Sequence, residues 1–179
     1  MRPVDLIVMH GRTGTSEVER LVDDARAAIT HDLVELALAT GAFASIVVST
    51  NDRLLAETLT GRSPVVIELD PPDEPFRFGR RLQALIAKHR LERLVYFGGG
   101  SGPLLSSAGL CDLAERVRAA DRLFVANNFY SVDFCAFTPA SILLDLDPPA
   151  NDNELGWLLS REGGLPAHEL ERGTATMFD

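Results

Sequence analysis

The chain has 179 residues, 46% hydrophobic and 24% charged, with 26 Asp and Glu against 17 Lys and Arg, for a formal net charge of −9. That length fits a single domain, 1–179, with a sizeable core. The acidic balance argues against a nucleic-acid partner, which needs a basic stripe, and no apolar run approaches the roughly 20 residues that span a membrane.

Val4–Met9, apolar apart from Asp5, predicts a first strand. It runs into His10-Gly11-Arg12-Thr13-Gly14-Thr15, a loop of glycine and hydroxyl residues. Ser16 with Glu19 three residues on is a capping-box pattern. The helix it opens has Leu33, Leu36, Ala37 and Leu38 on its apolar face and Gly41 as C-cap. Ala44–Ser49, rich in β-branched residues, predicts the second strand, left through Thr50-Asn51-Asp52. Leu54, Leu55 and Leu59 mark a helix that stops at Gly61, and Val65–Leu69 is the third strand. A stiff acidic loop, Asp70–Pro75, precedes a helix with Phe78, Leu82, Leu85 and Ile86 at i, i+4, i+7, i+8. Leu94–Phe97 is a continuously apolar strand that enters Gly98-Gly99-Gly100-Ser101-Gly102. Pro103 opens the next segment, with Leu104, Leu105, Leu110 and Leu113 at helical spacing.

After this helix, which reaches Ala119, Leu123–Ala126 predicts a fifth strand, broken by Asn127-Asn128-Phe129-Tyr130. Ser131–Phe137 reads as another strand and Pro139–Leu144 as a helical turn. Asp145–Asn153 is an acidic loop, and Glu154–Glu162 an amphipathic helix carrying Leu155, Leu158 and Leu159 with Trp157 beside them. Gly163-Gly164 ends it, Leu165–Leu170 suggests a further strand, and Thr174–Asp179 a last one that stops abruptly, as a truncated chain would. Strand–helix–strand recurs four times at roughly 30 residues per unit. That pattern predicts an α/β fold, a three-layer α/β/α sandwich around a mostly parallel mixed sheet, with ligand loops at the carboxyl ends of its strands. Cys111 and Cys135 lack CxxC spacing, and the N-terminus lacks a signal-peptide pattern; both read as a cytoplasmic protein with reduced thiols.

Two loops carry the chemistry. His10 to Thr15 reads as a phosphate cradle of backbone N–H groups with Arg12 as counter-charge, or as a plain strand-to-helix turn. Gly98, Gly99, Gly100 and Ser101 allow close approach of a base, sugar or phosphate, or form a flexible turn. Asn51 and Asp52 read as base or ribose contacts, or as a helix cap. Asn127 and Asn128, with Asp133, read as acceptor contacts or as turn residues. Gly99-Gly-Ser101-Gly-Pro103 imitates a serine-hydrolase nucleophile elbow, but Pro103 stands where the last glycine belongs. The Arg77, Arg80, Arg81, Lys88, Arg90 and Arg93 cluster reads as a solvated helix face.

Taken together, Val4–Thr15, Ile46–Asp52, Tyr96–Leu105, Asn151–Leu159 and Ala175–Asp179 resemble the nucleotidyltransferases of the glycosyltransferase-A-like fold, near the molybdenum-cofactor and phospholactate guanylyltransferases and the cytidylyltransferases. The resemblance implies a Rossmann-like, nucleotide-diphospho-sugar transferase-like fold. It implies transfer of NMP, GMP or CMP favoured, from a nucleoside triphosphate to a small phosphorylated or carboxylated acceptor in cofactor biosynthesis, and allows a homodimer. It casts Arg12 as catalytic, His10–Thr15, Asn51, Asp52, Gly98–Ser101, Asn127 and Asn128 as substrate-binding, Mg²⁺ as cofactor and Asp179 as its ligand. Asp145, Asp147 and Asp152 are the other carboxylates on offer, the first two reading as a solvated loop. The chain departs from the pattern at the metal site. The family has a Gly-Asp before x-Pro-Leu-Leu, and here the residues are Gly99-Gly100-Ser101-Gly102. His10 replaces a glycine, and no lysine lies between Thr13 and Ala87, which leaves Arg20 or Arg26 to supply charge. The alternative is therefore a catalytically inactive nucleotide-binding or scaffold relative acting with a partner.

Overall fold

The structure, a computed structural model, describes residues 2–171 and Gly173. The expected Thr174–Asp179 strand and the Asp179 metal ligand lie outside the described residues. Among the described residues, seven strands form one sheet in the order β3-β2-β1-β4-β6-β5-β7. These are β1 (Asp5–His10), β2 (Ser45–Thr50), β3 (Val65–Leu69), β4 (Leu94–Gly98), β5 (Leu123–Ala126), β6 (Phe134–Thr138) and β7 (Ala167–Glu169). β1 pairs parallel with β2 and β4, β2 with β3, and β5 with β7, while β6 runs antiparallel between β4 and β5. The α/β class and the mostly parallel mixed sheet are as the sequence predicts.

Alternation along the strands builds two cores. Leu6 and Val8 of β1 and Val95 and Phe97 of β4 face one side. There they meet α1 (Glu17–Thr40), α2 (Arg53–Leu59) and α4 (Ser107–Ala119). Ile7, Met9, Leu94 and Tyr96 face the other. They pack on α3 (Phe78–His89), a 3₁₀ turn at Ala140–Asp145 and α5 (Asp152–Trp157). A strand apolar at every position is buried on both faces, which is why Leu94–Phe97 carries no alternation.

Several boundaries differ from the sequence expectation, β7 among them, which covers only Ala167–Glu169 of Leu165–Leu170. The helix after β4 starts at Ser107, because Ser106 Oγ accepts from Gly109 N (3.1 Å) and caps it, whereas Pro103 and Leu104 sit in a turn after Gly102. Leu104 is 72% exposed and is not core. Strand β6 begins at Phe134. The predicted helix Glu154–Glu162 is α5 followed by a π-turn, closed by Gly163 N to Leu158 O (2.9 Å), and it leaves Trp157 half exposed. No helix among the described residues is long and apolar enough to cross a membrane.

Candidate functional site

A cleft of about 520 Å³ opens where β1 to β4 end. Its walls include Met9, His10, Gly11 and Thr13 from β1 and its exit loop, Ser49 and Asn51 from β2, Leu69 to Pro72 from the end of β3, and Gly98 and Gly99 from β4. Parallel strands bring all four exits to one edge of the sheet. The β1 and β4 exits touch: Gly99 N donates to Met9 O at 2.7 Å. A Cβ on Gly99 would lie 2.7 Å from His10 Cα and 2.8 Å from His10 Nδ1, so only glycine fits. Gly100 and Gly102 take φ +91° and +80°, and Ser101 N donates to Gly98 O (3.1 Å).

The β1 loop is held by side chains of this chain. Thr13 N and Gly14 N both donate to Asp23 Oδ2 (3.1 and 2.8 Å). Glu19 accepts from Thr15 N and Ser16 N (3.0 and 2.8 Å) while its own N–H bonds Ser16 Oγ, completing the capping box. Those N–H groups hold the Glu19 carboxyl at about 2. Asn51 clamps Arg12 reciprocally, Oδ1 accepting from Arg12 N (2.8 Å) and Nδ2 donating to Arg12 O (3.0 Å). The Arg12 guanidinium binds Asp52 Oδ2 (3.0 Å) and Asp24. Asp52 is also the N-cap of α2, its Oδ1 accepting from Leu54 N and Leu55 N. Burial opposes its ionisation, but the Leu55 N–H and the Arg12 guanidinium outweigh that, and its carboxyl lies below the ordinary value.

His10 is the outlier. Its side chain is fully enclosed and neither ring nitrogen has a hydrogen-bond partner among the described residues; Nε2 lies 3.8 Å from Asp52 Oδ2, too far to bond. Burial lowers its pKa first; Asp52 opposes this, and Arg26 and Arg12 add to it. The imidazole is therefore neutral at pH 7.

Asn127 and Asn128 stand away from the cleft walls. Asn127 Oδ1 accepts from Phe134 N (3.3 Å), and Asn128 Oδ1 accepts from Tyr130 N (2.8 Å) in an Asx turn. The cleft is also lined by Phe78, Tyr96, Arg53, Glu74 of the acidic loop and Phe76 just after it, none of which the sequence cast as substrate-binding. Asp23 had one sequence signal. With Arg26 and Thr30 it recurs at i, i+3, i+7, a polar stripe on the helix beside its apolar face.

The described residues do not form a ready-made Mg²⁺ site. Among them no three His, Cys, Asp or Glu side chains come together, and the β4 exit has no carboxylate between Gly98 and Gly102.

No protein-family model matches the chain, and no curated protein does. Solved structures do. A nucleotidyl transferase from Methanothermobacter thermautotroptrophicus superposes with TM-score 0.69 at 15% identity, over 98% of this chain and 91% of that one. CMP:2-keto-3-deoxy-manno-octonic acid synthetase complexed with CTP gives 0.61 at 12% identity, over 95% and 90%. A cytidylyltransferase from Leptospira borgpetersenii gives 0.58 at 15% identity, over 96% and 77%. At these identities the likeness is one of fold. The chain has the nucleotide-diphospho-sugar transferase-like α/β fold that nucleotidyltransferases share.

Proposed function

We propose that the cleft receives a nucleoside triphosphate and that the protein transfers NMP, with GMP or CMP favoured, to a small phosphorylated or carboxylated acceptor in the cytoplasm. An acceptor oxygen would attack the α-phosphorus in line, forming a P–O bond as the bond to pyrophosphate breaks. Such catalysis is chiefly positioning and charge neutralisation. The observation that carries the reading is the contact of two glycine loops, Gly99 N to Met9 O at 2.7 Å, over one crevice at the strand ends. A likeness in fold to a CTP-bound synthetase supports it.

A second reading, nucleotide binding without transfer, is favoured by the engagement of Arg12 with Asp24 and Asp52 and of the Thr13 and Gly14 N–H groups with Asp23. Thermal-shift titration with GTP, CTP, ATP and UTP, each with and without Mg²⁺, tests both. Ligand at a hundredfold over Kd should stabilise by about 2.7 kcal/mol. Pyrophosphate release over an acceptor panel supports transfer, and binding without release supports the second reading. No shift with any nucleotide rejects both.

A further inference from the structure

The cleft is electrically asymmetric. Arg12 is engaged by Asp24 and Asp52, and Arg81 by Asp70. Arg26 on α1 and Arg53 on α2 line the cleft with no carboxylate in ion-pair range among the described residues. Both belong to helices on one face of the sheet. Asp152, which also lines the cleft, belongs to α5, which packs on the other face, and Glu74 stands on the loop between β3 and α3. Among the described residues lining the cleft, Arg26 and Arg53 are thus the cations left to meet an entering anion.

Arg26 is fixed there by the β4 exit. Its Nε donates to Gly99 O at 3.0 Å, and its two terminal nitrogens make no hydrogen bond among the described residues. A Cβ on Gly100 would stand 2.7 Å from Arg26 Cγ and 3.2 Å from Nε, at a backbone φ of +91° that suits glycine. The Arg26 stem thus fills the space that a side chain at position 100 would need. With Arg26 in place, position 100 cannot offer a carboxylate, and the loop presents a permanent cation instead of a ligand for one.

We propose that Arg26, assisted by Arg53, is the anion-binding element of the cleft, and that it neutralises the phosphates of a bound nucleotide without a divalent cation. The inference rests on the nucleotide reading above. A guanidinium suits the task because it stays charged and its parallel N–H groups match two phosphate oxygens.

Calorimetric titration of GTP, CTP and inorganic tripolyphosphate into wild type, Arg26→Gln, Arg26→Lys and Arg53→Gln, in MgCl₂ and again in EDTA, decides it. Wild-type affinity for nucleotide should agree within about twofold between the two buffers. Arg26→Gln should lose about tenfold or more, the scale of a lost charged hydrogen bond, with Arg26→Lys recovering part. Circular dichroism should show all variants folded, since Arg26 is exposed. Nucleotide binding that requires Mg²⁺, or that Arg26→Gln leaves intact, overturns the inference and spares the nucleotide reading. Tripolyphosphate binding lost in Arg26→Gln, with no binding of GTP or CTP, supports the anion site and sinks the nucleotide reading. Failure of all three ligands to bind overturns both.

Discussion

His10 is a buried imidazole at the end of β1, with no hydrogen-bond partner among the described residues. An unsatisfied buried group is destabilising by about 1–3 kcal/mol. Its depressed pKa sets a sign. The unfolded chain binds a proton more readily than the folded one, so stability is complete above about pH 6.5 and is lost as pH falls toward the folded value. Urea unfolding at pH 7.5 and 5.5 should show wild type losing stability on acidification. His10→Leu, which cannot titrate, should lose less. An equal loss in both would mean the imidazole is not the group responsible. The sequence showed His10 as a departure from a glycine motif. It did not show the burial, because enclosure comes from Gly99, 89 residues away in the chain.

At the scale of the element, Asp52 ties two pieces together. One oxygen caps α2 and the other binds Arg12 of the β1 loop, 40 residues earlier. Asp52→Ala removes both functions and should destabilise by about 1–2 kcal/mol in chemical denaturation, the range of an N-cap loss. Asp52→Asn keeps a capping oxygen and should recover most of that. If Asn is as damaging as Ala, the Arg12 pair dominates and the cap is secondary. The cap was legible as an Asx residue ahead of a leucine run. The same holds for the Ser16–Glu19 box and the Gly41 C-cap, both formed as the local pattern predicts. The start of α4 was not, since Pro103 and Ser106 are both good openers and the choice fell to Gly102, whose φ of +80° turns the chain first.

Over the whole molecule, two apolar layers sandwich the sheet, and Phe97 anchors one of them. It is fully buried, with its ring 4.9 Å from that of Phe134 on the neighbouring antiparallel strand. Phe97→Ala should destabilise by about 3–5 kcal/mol, the cost of a large cavity in a packed core, read as a drop in denaturation midpoint. A loss under about 1 kcal/mol would show that the layer closes around the gap. The alternation of apolar strands and amphipathic helices determined from the sequence alone that this is an α/β sandwich, because burial on both faces leaves a continuous apolar run and burial on one face leaves a 3.6-residue period. The crevice itself was decided only in three dimensions. Gly99 against His10, Arg26 over Gly100 and Asp23 on the Thr13 and Gly14 amides are contacts between strand exits and a helix face. Parallel pairing puts those exits side by side, and the distances between them along the chain leave no local signature.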